Sequence, residues 1–288
     1  SRYPSGEQRH RIVDGSSMNS VIRAMPRDVV VVEGSDAEMY LHGQISQDVD
    51  DMTIGESRLS FLLEPKGNIE SLFRITRSEH EQYVLDTEVD HGELLKSSLE
   101  RFKLRSKIEF TLSRWSMIAV LGQADFSKAH DVEVLAPSAW PGTEYIDLLG
   151  VSPSLDLPEC SGEEYERLRL AKGLPVIGRE VGIGGIPNET DLLDIAVSFG
   201  KGCYRGQELV ERIDSRSGGR RLIRRVEGDG ALAPGDELRF EDVKVGEILS
   251  IPNGAPYIGF ARLRADVDVA GGPEGVLVNV TSIHDAGL

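Results

Sequence analysis

The run Lys201-Gly202-Cys203-Tyr204-Arg205-Gly206-Gln207-Glu208 brings together a thiol, two cations, two glycines, an amide and a carboxylate. Cysteine is scarce in these 288 residues: Cys160 and Cys203 are the only two. Lys201 and Arg205 flank the thiol, and nearby cations favour the thiolate, the form that acts as nucleophile or metal ligand. Gly202 and Gly206 permit backbone shapes and close approaches that other residues resist. The competing reading makes Cys203 a small buried hydrophobe beside a turn, where most free cysteines sit. Composition alone favours the buried hydrophobe. The run as a whole favours chemistry.

The elements that would position this run read as α+β. Asp28 to Glu33 is a short β-branched strand, and a helix begins after the cap-like Ser35-Asp36 pair. Ser57 to Leu63, Ile69 to Thr76 and Gln82 to Asp86 read as strands joined through Pro65-Lys66-Gly67 and a charged turn. Asp90 to Lys103 places Leu94, Leu95, Leu99 and Phe102 at helical spacing. Lys107 to Leu112 and Trp115 to Leu121 read as two further strands, and Gly162 to Lys172 as a helix. No steady βαβ alternation runs through them, which argues for mixed or antiparallel sheets rather than a parallel one. Beyond Gly218-Gly219, the segments 237–240, 243–251, 257–263 and 276–283 are short and alternating, as in a small barrel or sandwich. The expected division is a polar, disordered leader over 1–20, a body over 21–217 and a β-barrel-like unit over 218–288.

Composition narrows the function classes. Forty-eight acidic against 32 basic residues give a net charge of −16, so direct nucleic-acid binding is not expected. The local exception is Arg212, Arg216, Arg220, Arg221, Arg224 and Arg225, just after the cysteine run. Two readings stay open for it: a surface for an acidic partner, or a solvated loop paired with carboxylates. No apolar run approaches a membrane span. Two cysteines at unlike positions make no disulfide framework, and a reducing cytoplasm fits. No histidine shows zinc-like spacing with either cysteine, so no metal centre is read. Phosphate-loop and nucleophile-elbow motifs are also lacking.

The cysteine run, with Arg212 after it, resembles the signature K-G-C-[YF]-x-G-Q-E-x(3)-R of the YgfZ-type proteins. These form a branch of the folate-binding superfamily of the glycine-cleavage T-protein, an aminomethyltransferase. Leu41-His42-Gly43-Gln44-Ile45-Ser46-Gln47-Asp48-Val49 is similar to the family's L-x-x-Q-x-(S/T)-x-D-V stretch. Leu63 to Ile69, Arg169 to Pro175 and Ile186-Pro187-Asn188-Glu189 resemble three further segments, in order along the chain. The resemblance implies an aminomethyltransferase-like body of two intertwined parts, followed by a compact β domain around a central cavity. It implies tetrahydrofolate or a related folate as the small molecule, and support of iron–sulfur client enzymes, tRNA-modifying ones included, as the role. Cys203 would then be the functional thiol. Gln207 and Glu208 would orient neighbouring groups, and Lys201 and Arg212 would supply positive charge. Glu208 and Arg212 also stand at the spacing of an ordinary i,i+4 helix pair.

Two departures weaken the folate expectation. The T-protein's carboxylates near the folate fall on Ser71 and Leu72 here, with Glu70 one residue early. The glutamate expected to recognise the pterin ring is Ala171. A pterin's donor edge suits a carboxylate, so the substitutes left open are backbone carbonyls or Glu180 and Glu189, and Tyr204 could face the cavity. The alternatives are a folate-dependent aminomethyltransferase or demethylase, with Asp48, Asp50 or Asp51 as replacement acid, and a non-catalytic folate sensor.

Overall fold

In the computed structural model the described residues are 20–138, 145–214 and 221–282. The leader expected over 1–20 lies almost wholly outside them, as do Gly218-Gly219, Arg216 and Arg220. A long strand, β1 (Val21–Glu33), organises the first half by pairing on both sides. Helix α1 (Ala37–Gln44) follows, then β2 (Ser57–Leu63), β3 (Ile69–Glu79), β4 (Gln82–Thr87) and helix α2 (Gly92–Glu100). Strands β5 (Glu109–Leu121), β6 (Val134–Pro137) and β7 (Ile146–Gly150) complete an antiparallel sheet of order β2-β3-β4-β1-β5-β7-β6.

The period-two alternation of β1 sends Val30 and Val32 to one face, where Tyr83, Phe73 and Ile75 pack against Leu41 of α1 and Leu95 and Leu99 of α2. Val29 turns to the other face with Val84, Met117, Ala119 and Leu149. The two strands expected over 107–121 are one. Their polar middle, Ser113 and Arg114, stays in the ladder because β1 pairs continuously from Glu33↔Glu109 to Val21↔Leu121. Asp28 rewards that pairing by accepting from Arg114 Nε at 2.6 Å.

Helix α3 (Gly162–Ala171) opens with a reciprocal capping box between Ser161 and Glu164, the local reason it starts where it does. The short α4 (Leu193–Ala196) and then α5 (Gln207–Asp214) lead to the barrel. Its strands are β8 (Arg221–Gly228), β9 (Glu237–Phe240), β10 (Val243–Ser250), β11 (Tyr257–Arg264), β12 (Val269–Gly271) and β13 (Leu277–Thr281), closed in the order β10-β11-β8-β13-β12-β9. Strand β8 was not legible beside its arginines. In the fold, Arg224 donates to the backbone oxygens of Thr281 and Ala265, so its charge lies along the barrel wall. One apolar cluster joins the three regions: Leu63 and Ile69 from the sheet, Tyr204 and Val210 from the cysteine run and α5, and Ile223 and Phe260 from the barrel.

Candidate functional site around Cys203

The cysteine run is held from beneath and open above. Lys201 is buried, and its ammonium donates to three backbone oxygens, of His42 (2.6 Å), Ile45 (2.9 Å) and Gln47 (2.7 Å). Burial draws its pKa down to about 8, while Asp48 and Asp50 pull the other way. Tyr204 is buried among apolar side chains, and burial lifts its phenol to about 12. Arg205 donates to the backbone oxygens of Leu63 (2.6 Å) and Ser98 (3.0 Å), pairs with Glu70, and stacks over Phe102 at 4.7 Å. Gly202 and Cys203, between these anchors, are exposed.

The two cations were expected to serve the thiol. Their donors are instead used on backbone oxygens and Glu70, so they build the loop under Cys203. Of the two glycines only Gly206 has a positive φ, +82°. A Cβ on it would sit 2.6 Å from the oxygen of Glu64 and 3.1 Å from Gly67 Cα. The β2–β3 turn and the cysteine run therefore meet glycine to glycine. Gln207 opens α5 and donates to Glu211 at 2.6 Å, Glu208 is exposed in its first turn, and Arg212 lies exposed in its last. Both cysteines are free, Cys160 buried with its thiol pKa raised by that burial, Cys203 exposed.

A cavity lies against the face of the sheet opposite α1 and α2, roofed by α3. Leu72, Arg74, Asp86 and Met117 line it from the sheet, and Tyr165 and Lys172 from the α3 side. Its wall carries a charge network that sequence reasoning missed. Arg74 donates to Asp86 (2.8 Å) and Asp147 (2.5 Å), and Arg27 reaches Asp86 (3.0 Å) and Glu88. The signal was present as an arginine inside the apolar run Leu72-Phe73-Arg74-Ile75. Its partners were not legible.

No family model matches the chain. An uncharacterised protein from Haemophilus influenzae is 28% identical over 212 residues, 72% of each chain. The tRNA-modifying protein YgfZ of Photorhabdus laumondii is 25% identical over 241 residues, 74% of this chain and 73% of that one. The crystal structure of glycine cleavage system aminomethyltransferase T from Bartonella henselae shares the fold, with a TM-score of 0.74 at 16% identity over 93% of this chain and 86% of that one. The chain is thus similar to YgfZ proteins in sequence and shares the fold of aminomethyltransferase T.

On this fold the departures from the T-protein pattern acquire positions. Ser71 is fully buried, and Leu72 lines the cavity where a carboxylate was expected. Glu70 sits at a bulge, between the pairs Leu62↔Ser71 and Leu63↔Ile69, and is taken by Arg205. Glu180 is fully buried, gripped by Arg169 at 2.8 Å and by Ser250, and does not line the cavity. It ties α3 to the barrel. Glu189 and Tyr204 also lie outside the cavity wall, and Tyr204 packs beneath the loop. Asp48, Asp50 and Asp51 stand near His42 and Arg58 instead. The carboxylates that do line the cavity are Asp86, Glu88 and Asp147. Each is paired with Arg27 or Arg74, and apolar walls, the Tyr165 ring and Lys172 lie beside them.

Proposed function

We propose that the chain is an accessory protein of tRNA modification, supporting assembly or repair of iron–sulfur clusters in client enzymes, with Cys203 as its working thiol. The observation that carries this reading is an exposed cysteine on a loop anchored at Lys201, Tyr204, Arg205 and Gly206. Such a thiol can be presented to another protein at low ordering cost, because the loop is already held. The similarity to proteins named for tRNA modification supports the same reading. Cys160 is buried, so a four-thiolate cluster would need ligands from the client or from small thiols.

A folate is the proposed small molecule of the cavity. Glu88 and Asp147 are the partly exposed carboxylates offered to a pterin's donor edge, Tyr165 offers a ring, and Lys172 a cation for the glutamate tail. A reduced folate would supply one-carbon chemistry, but Leu72 and buried Ser71 leave the T-protein's carboxylate positions without an acid. This favours accessory binding over aminomethyl transfer.

The test is rescue of a bacterium lacking its own YgfZ-type gene, read as iron–sulfur-dependent methylthiolation of tRNA. Wild type should restore the modification, and Cys203→Ala should leave it below about a tenth of that level. Equal rescue by both would reduce Cys203 to a structural residue and move weight to a folate sensor.

A further inference from the structure

His42 near the end of α1 meets Asp48 and Asp50 from the turn that follows. Its Nδ1 lies 3.2 Å from Asp48 Oδ1 and 2.9 Å from Asp50 Oδ1. One donor atom from each of the three falls within 4.8 Å of the others. The two oxygens are near, yet Nδ1 is shut off from solvent and makes no hydrogen bond, so neither oxygen lies along a ring N–H. A buried polar nitrogen left in that state is costly unless something else takes its lone pair. Bonds of about 2.1 Å to an octahedral ion put adjacent donors about 3.0 Å apart. The two spacings from Nδ1 match those of adjacent ligands around such a cation.

The surroundings hold this arrangement in place. Lys201 ties down the backbone oxygens of His42, Ile45 and Gln47, which lead from the imidazole into Asp48. The Asp48 carboxylate accepts the Asp50 N–H at 3.0 Å, which fixes the spacing of the two acids. A Cβ on Gly202 would meet His42 Nε2 at 3.8 Å, so the ring's other edge faces the residue before Cys203. Asp50 is largely exposed, giving an ion a route in. Two carboxylates offset a divalent charge, and the nearby ammonium is engaged by carbonyls.

We propose that His42, Asp48 and Asp50 bind a divalent transition-metal cation beside the Cys203 loop. One imidazole and two carboxylates suit Mn(II), Fe(II) or Zn(II) rather than Cu(I), which favours sulfur. Three protein ligands leave coordination positions open for water or an incoming group. The site stands on these three residues and does not depend on the iron–sulfur reading.

The experiment is a titration of the whole chain with Mn(II), read from the loss of the free-ion EPR signal. One ion per chain is expected. His42→Ala and Asp50→Asn should each weaken binding at least tenfold, while Cys203→Ser should change it less than threefold. Asp50 is exposed, so its variant should melt within a few degrees of wild type and keep the comparison clean. Wild type binding no tighter than Asp50→Asn overturns the proposal, as does binding that vanishes in Cys203→Ser.

Discussion

Lys201 and Cys203 are two positions apart, yet one is 8% exposed and the other open to solvent. The difference is a matter of partners. An ammonium can be buried when every N–H has an acceptor, and three carbonyl oxygens meet that need. Lys201→Met would leave those oxygens without a donor and should cost about 2–4 kcal/mol in urea unfolding. The pH dependence has a definite sign. Burial holds the folded pKa near 8, below that of an unfolded lysine, so the unfolded chain binds more protons between there and about 10.4. Stability from this group therefore rises with pH across that window and is lost as pH falls through 8. The stability of wild type minus that of Lys201→Met should grow from pH 8 to pH 10 in parallel urea titrations.

Among the elements, the β2–β3 turn and the cysteine run depend on one another. Gly67 and Gly206 both have positive φ, and a Cβ on Gly67 would meet Leu209 Cβ at 2.4 Å. Gly206→Ala adds a strained backbone, about 1–3 kcal/mol, to an overlap with the oxygen of Glu64. It should lower thermal stability and unseat the loop, which faster proteolysis near residue 204 would register. Gly202→Ala meets only His42 at ordinary contact distance, so it should melt as wild type does. The same dependence explains β5. Read alone, its Ser113-Arg114 middle breaks a strand, but a thirteen-residue β1 beside it supplies the pairing that carries the chain through.

At the scale of the molecule, buried charge knits the sheet together behind the cavity. Burial pushes the Asp86 carboxyl up, but Arg74 and Arg27 outweigh it and hold the group below its ordinary range. Asp147 goes the other way, because burial exceeds what Arg74 returns. Arg74→Met would leave fully buried Asp86 with Arg27 alone and Asp147 without its arginine, and should cost about 3–5 kcal/mol. A depressed folded pKa contributes stability above the unfolded value and loses it as pH falls through the folded one. The gap between wild type and Arg74→Met should therefore narrow from pH 5 to pH 2, as read by thermal melting at each pH. Among the described residues no helix is long and apolar enough to cross a membrane.

The sequence by itself determined the local elements and the position of the chemistry. Strands β2 and β9 fall on the residues that alternation and turn residues marked, because those signals act within a few neighbours. The cysteine run was equally legible, since its residue types are informative without any partner. Tertiary structure alone decided what the charges do. Lys201 finds its acceptors 154 to 159 positions away, and Arg205 meets Glu70 across 135. Residue type names a donor and leaves its acceptor open, so two cations beside a thiol read as its activators and prove to be its foundation. His42, Asp48 and Asp50 were not legible as a group for a related reason: no cysteine stands at metal-ligand spacing from the histidine, and only the fold brings the two carboxylates to the imidazole.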